Sequence, residues 1–423
     1  MTEPETPSPR PAVALDPAVP LRRNPDFRRL WVGGVVSQVG TEVTQIAFPL
    51  LILAVTGSAA YAGLLTSAEL AVYAVITLPA GLIADRFRRR RLLVFSDLAR
   101  AVLLVGLTVC VLLNWIQVWL VIAIAMVIAV FDAVFGPAQD AALKQVVPSS
   151  QLTQAVTLDE ARTRASRLIG PALGGWLFSL GQWVPFLGNT ISYMMSGLLL
   201  RRIEKPLDAP SDEPEPIRLR DTLAGFRFIL GNPFLRVMAL ISMGMTFTLA
   251  AFGLLFIAGL EQDNAGSSVI GMALAAYSTA GLLGALAAQW ILSVCPPRAV
   301  IIVTAWLIPA IMLSFAFVDS IVIAIASACL LYFCIPSLGS MSRAYLVAIT
   351  PSNLQGRVSA AVMVLGLALS PVAPAAFGFV FDAAGRTWAF VGMAISGLLT
   401  AVPTLSRPIR TLTARDPRND SDD

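Results

Sequence analysis

Twelve runs of about 20 mostly apolar residues, separated by short polar joints, constrain this chain more than any other feature. A helix crossing the hydrocarbon of a bilayer needs about 20 such residues. The first six runs begin near Trp31, Tyr61, Leu92, Ile116, Ala155 and Val184, the last six near Pro233, Val269, Ala299, Ile321, Gln355 and Thr387. Hydrophobic residues make up 57% of the chain and charged residues 13%, where a soluble domain carries about 25% charged. Too little polar surface remains to face water, so hydrocarbon is the solvent that suits the sequence. Joints as short as Thr56-Gly57-Ser58 and Asp319-Ser320 imply antiparallel neighbours. The reading is an all-α integral membrane protein with 12 transmembrane helices.

The runs divide six and six. Between them lies a polar segment with Pro206, Pro210, Pro214 and Pro216, ending in an amphipathic stretch from Thr222 to Leu230. This predicts a tail at 1–30, a six-helix bundle at 31–203, a linker at 204–230, a second six-helix bundle at 231–406 and a tail at 407–423. The halves echo each other. Asn24-Pro25 precedes the first run and Asn232-Pro233 the seventh, while Gly170-Pro171-Ala172 matches Ala373-Pro374-Ala375, and Gly175 matches Gly378. Parallel repeats of this kind suit two pseudo-symmetric bundles with a site between them.

Charge gives the orientation. With the N-terminus in the cytoplasm, Arg386 is the one basic residue of 30 that falls outside. The outer joints carry Glu261, Asp263, Asp319 and Asp382 instead. This asymmetry follows the positive-inside rule, so both termini are expected on the cytoplasmic side of a plasma membrane, and the Arg- and Ala-rich, Lys-poor composition suggests a bacterial one. The basic residues sit in clusters between apolar runs and form no basic face, so no nucleic-acid partner is expected. Cys110, Cys295, Cys329 and Cys334 have no ligand spacing, and the chain has no His; buried, inert thiols and no metal or other cofactor are expected.

Two motifs carry mechanism. Gly81-Leu-Ile-Ala-Asp85-Arg86-Phe-Arg88-Arg89-Arg90-Arg91 joins the second and third runs. An Asp at a helix end can accept hydrogen bonds from another helix N-terminus, and Gly81 permits close helix approach. The fifth run carries Gly170-Pro171-Ala-Leu-Gly174-Gly175, whose glycines allow tight packing and whose proline allows a kink. The joint resembles the signature loop of the major facilitator superfamily, with Arg88 in place of its usual second glycine. The GPxxGG core is similar to the motif of antiporters in that superfamily. Asn24-Pro-Asp-Phe-Arg28, Leu223-Ala-Gly-Phe-Arg-Phe228 and Gly356-Arg357-Val358 resemble the twelve-helix drug exporters that include macrolide efflux pumps and the enterobactin exporter. The resemblance implies the major facilitator fold, a cytoplasmic gate at Gly81, Asp85, Arg86 and Arg90, and proton-coupled efflux of small molecules; with no large soluble interface visible, a monomer is expected.

Acidic residues inside apolar runs point the same way. A charged group there costs roughly 2.5–3.5 kcal/mol on insertion scales, so a functional reason is the default. Glu42 lies mid-run in the first helix. Gln38, Thr41, Glu42 and Gln45 share one helical face and are expected to line a cavity. Glu69 lies in the second run among Thr66, Tyr73 and Thr77, and Asp132 is expected in the cytoplasmic third of the fourth, with Arg100 or Arg167 as a structural partner. Desolvation favours the neutral form of a carboxyl group, so such residues can carry protons. Phe48, Tyr73, Met238, Met243, Met245, Phe247, Tyr277, Tyr332 and Met363 are candidates for an apolar pocket. Mid-membrane positive charges to hold an anion are not expected, which weighs against anion import. With no catalytic constellation and no Gly-rich ATP loop, an enzyme is excluded; import of a small nutrient is the alternative to export.

Overall fold

The computed structural model describes residues 20–207, 219–318, 320–351, 354–406 and 409. Among them all regular structure is helical. The first half comprises α1 (Pro25–Thr56), α2 (Ala59–Arg86), α3 (Arg89–Leu112), α4 (Val118–Val146), α5 (Leu152–Leu180) and α6 (Val184–Arg201). A short helix α7 (Leu219–Gly231) follows. The second half comprises α8 (Pro233–Gln262), α9 (Ser267–Val294), α10 (Pro297–Phe317), α11 (Ile321–Ile349), α12 (Gln355–Ala368), α13 (Val372–Ala384) and α14 (Arg386–Ala401).

The Asn-Pro repeat explains where each half begins. Asn24 Oδ1 accepts the amides of Asp26 and Phe27, both at 3.1 Å. Asn232 Oδ1 accepts those of Phe234 and Leu235 at 3.0 and 3.2 Å. A proline at the first helical position follows each cap, where its missing N–H costs nothing. α1 therefore starts at Pro25, and the expected tail at 1–30 ends within this helix. The eleventh expected run is split into α12 and α13 around Ser370-Pro371, where the proline interrupts the hydrogen-bond ladder. α7 reaches back to Leu219 within the expected linker and packs on α12. A Cβ at Gly225 would collide with the Arg357 carbonyl, so this close approach requires glycine.

Ten helices among the described residues are long and apolar enough to cross a membrane, with α12 and α13 acting as one span. α5 and α6 pack beside them on α1. α5 carries Asp159, Glu160, Arg162, Arg164 and Arg167, and α6 carries Asn189, Thr190, Ser192 and Ser196, which lowers the apolar content of both. Large apolar side chains such as Leu286, Trp290, Val322 and Phe379 point outward and are exposed. That arrangement suits a hydrocarbon surround.

The two halves meet along two seams, α5 on α9 and α2 on α13. Both lie at the end of the molecule away from the start of α1. A Cβ on Gly175 would fall 2.6 Å from the Gly271 Cα, and one on Gly271 would lie 3.1 Å from the Ala172 carbonyl oxygen. In the other seam, a Cβ on Gly378 would strike the Ala59 carbonyl and one on Gly63 would strike that of Pro374. The repeated Pro-Ala and glycine positions of the fifth and eleventh runs thus occupy equivalent places in the two seams. The α2–α13 seam carries a polar latch, the Asp382 carboxylate on the first turn of α2, backed by Ser67 Oγ accepting the Ala375 amide at 2.9 Å.

Candidate functional site

Between the halves lies a cavity of about 930 Å³. Seams close one end. The other end reaches the surface beside the start of α5, where Glu160 and Arg164 are exposed. Gln38, Thr41, Glu42 and Gln45 of α1, Glu69 and Tyr73 of α2, and Asp132 of α4 all line it. One face of α1 is therefore wet over two turns, which answers why a membrane helix tolerates four polar residues there.

Glu42 is 8% exposed. Gln38 Nε2 donates to Glu42 Oε1 at 2.9 Å, and Arg167 Nε lies 3.7 Å from the same oxygen. Gly170 abuts it: a Cβ on Gly170 would run into the Glu42 Cβ. Thr41 Oγ1 lies 3.0 Å from the Tyr193 hydroxyl, tying the polar face of α1 to α6.

The two halves contribute different chemistry. Among the described residues, every charged side chain lining the cavity comes from the first half. The second half offers an uncharged wall that includes Leu249, Leu254 and Ile257 of α8 and Tyr277 of α9, with Tyr332 of α11. Tyr277 and Tyr332 stack with ring centroids 4.3 Å apart, backed by Phe252 and Phe256. The offered pocket set is corrected accordingly. Phe48 and Met238 are buried in packing cores, Met363 is exposed outside the cavity, and Met243, Met245 and Phe247 do not line it. The methionine cluster belongs to the end of α8 nearer Pro233, whereas the cavity touches α8 further along.

Two placements read from the sequence change. Asp132 lies halfway along α4 and not in its terminal third, because the helix continues through Pro137 to Val146. Arg100 is halfway along α3 and lines the cavity, where no mid-membrane positive charge was expected. A positive charge is therefore present midway along a helix long and apolar enough to cross a membrane. It is tolerated because Asp97 Oδ1 accepts Arg100 Nη2 at 2.5 Å and Asp132 pairs with Nη1. The guanidinium also sits 4.2 Å from the Tyr193 ring centroid and 4.5 Å from that of Phe135. Asp97 was not singled out by sequence; its i,i+3 spacing to Arg100 was the available signal. Cys295, expected buried, is exposed just beyond α9.

The model of the transmembrane secretion effector family, a major facilitator group, matches residues 16–422. The chain belongs to this family. It is 24% identical over 378 residues to the multidrug efflux pump Tap of Mycolicibacterium fortuitum, covering 87% of this chain and 92% of that protein. The Tap of Mycobacterium tuberculosis strain H37Rv is 26% identical over 407 residues, covering 91% and 94%. The enterobactin exporter EntS of Shigella boydii is 25% identical over 268 residues, covering 63% of this chain and 64% of that one. Among solved structures, a bacterial homologue of the human lysosomal transporter Spinster, inward-facing and unoccupied, superposes with a TM-score of 0.73 at 14% identity, covering 93% and 98%. A D-xylose–proton symporter superposes at 0.68 and 12% identity, covering 90% and 96%. Both likenesses concern the fold alone.

The family motifs can now be placed. Arg86 ends α2 and is exposed, and Arg90 donates to the Arg201 carbonyl at the end of α6. The surroundings of Gly81 and the side chain of Asp85 lie outside the described residues. Gly170, Gly174 and Gly175 face different partners: Glu42 and Val43 on α1 for the first two, Gly271 on α9 for the third. Pro171 lines the cavity between these contacts.

Proposed function

We propose that this protein exports amphipathic small molecules, such as an antibiotic, a siderophore or another natural product, by proton antiport through alternating access. Twelve spans form two six-helix bundles of the plasma membrane, both termini are cytoplasmic, and the protein works as a monomer in the lipid bilayer. On that orientation the cavity is open to the cytoplasm and the glycine seams are the closed outer gate. The observation that carries the reading is the divided cavity. Its carboxylates Glu42, Glu69 and Asp132 face an uncharged aromatic wall from the other bundle. An amphipathic molecule fits such walls, and the carboxylates are groups a proton and a substrate can compete for. Gln38, Thr41, Gln45 and Tyr73 complete the substrate face. Gly81, Asp85, Arg86 and Arg90 form the cytoplasmic gate that closes when the outer seams part, and Gly170 to Gly175 let α5 slide on α1 and α9.

Efflux-pump relatives over nearly the whole chain support export over import. Import of a small nutrient is the second reading, favoured by the fold shared with the sugar–proton symporter. Accumulation of a panel of dyes and antibiotics, in cells lacking their main pumps, separates the two. Lower accumulation in expressing cells supports export. Raised uptake of a panel compound, or of a sugar, supports import.

A further inference from the structure

We propose that Asp97 is the counter-charge that enables Asp132 to carry a coupling proton, with Arg100 shared between the two; this rests on the proton-driven reading above. The three groups make a built site. Arg100 is 2% exposed and Asp97 0% exposed, while the Asp132 side chain is 24% exposed. Asp132 lines the cavity and Asp97 does not. One guanidinium thus joins a wet carboxylate on α4 to a dry one on its own helix.

The surroundings hold the guanidinium in place. From α6, the Tyr193 ring lies beneath it, and Ser196 and Gly197 lie against Asp97. From α4, Phe135 lies beneath it. From α1, Thr41 holds the Tyr193 hydroxyl. Glu42 of α1 and Glu69 of α2 face the same cavity as Asp132. The cavity arginines of α5 are engaged elsewhere: Arg162 with Asp159, Arg164 with Glu160 and Arg167 with Glu42.

Charge arithmetic gives the role. With both acids ionised the triad carries one excess negative charge. A proton from cavity water bonds to an Asp132 carboxylate oxygen, and the triad becomes neutral. Arg100 keeps its ion pair with Asp97. When the opposite face opens, the proton leaves Asp132 for water there and the first state returns. Without Asp97, the same proton would leave Arg100 as a buried cation with no counter-ion, an arrangement strongly disfavoured in low dielectric. Asp97 is therefore a positioning residue, acting through Arg100.

Infrared difference spectroscopy on the purified protein tests this without a transported substrate. An acid pulse should produce the carbonyl stretch of a protonated carboxylic acid. Asp132→Asn should remove a component of that band, which assigns it. Asp97→Asn should weaken the same component roughly ten-fold at the same pH, and Asp97→Glu should restore it. A folded Asp97→Asn protein that retains the Asp132 component overturns the proposal. So does an Asp132→Asn protein with an unchanged band, which also keeps the question decidable should Asp97→Asn fail to assemble. The proton-driven reading fails separately, if transport by the wild type is indifferent to a proton gradient.

Discussion

Ser58 and Asp382 stand 324 residues apart in the chain, and their side-chain oxygens lie 2.5 Å apart across the two halves of the molecule. Ser58 caps α2. The same Asp382 carboxylate accepts the Ala59 and Ala60 amides at 2.9 and 3.0 Å. A carboxylate at a helix N-terminus meets unpaired N–H groups and the positive end of the helix dipole. The Asp85 loop was expected to make this kind of contact at the opposite end, and the Asp382 contact has the same chemistry.

Removal of the latch should loosen the closed face. Asp382 is exposed, so the contact is worth about 1 kcal/mol and not the sum of three buried bonds. Asp382→Ala should shift the conformational equilibrium roughly five-fold away from the closed seam. The check is labelling of a cysteine placed at buried Ser67 by a membrane-impermeant maleimide added outside. The rate should rise by about that factor, and an unchanged rate would deny Asp382 a latch role.

The seam glycines should tolerate no side chain. Gly63→Ala and Gly378→Ala would drive a methyl group into backbone carbonyls of the facing helix, where relief requires helices to part. Turnover should fall by an order of magnitude or more with membrane insertion retained. Gly106→Ala is the contrast. Nothing lies within 4 Å of a Cβ there, and alanine is about 1 kcal/mol better than glycine in a helix. That variant should be neutral or slightly more heat-stable, as measured by thermal denaturation in detergent.

Arg100 should be indispensable to the first half. Arg100→Gln leaves Asp97 and Asp132 facing each other without their cation, and breaking such a buried pair costs about 3–5 kcal/mol. The expected result is a sharp loss of monodisperse protein on size exclusion. Arg100→Gln combined with Asp97→Asn should recover much of it, since the remaining acid borders the cavity.

Much of this architecture was legible because bilayer thickness fixes helix length. Asn24-Pro25 and Asn232-Pro233 announced helix starts by a local mechanism, a cap and a preset φ. The polar face of α1 was readable from spacing alone, since Gln38, Thr41, Glu42 and Gln45 have no other reason to align. Arg100 was read as a partner for Asp132, and the two do pair, but the depth of Arg100 was misjudged and Asp97 was not singled out. Their depth depends on α3 starting at Arg89, and the guanidinium also rests on Tyr193 and Phe135, which only tertiary packing brings near. The methionines of α8 were misjudged likewise: periodicity gives a face, but only the partner helices decide whether that face meets the cavity or a core.

Glu42 bears the central claim. Its carboxylate borders the cavity, held by Gln38 and near Arg167. The most direct measurement is transport by purified protein in proteoliposomes under an imposed pH gradient, with a compound whose cellular accumulation the protein lowers. The wild type should move it against its own gradient, and a protonophore should abolish the movement. Glu42→Gln should still bind the compound and fail to couple. Gradient-driven transport by Glu42→Gln at the wild-type rate, or wild-type transport that ignores the protonophore, would contradict the account.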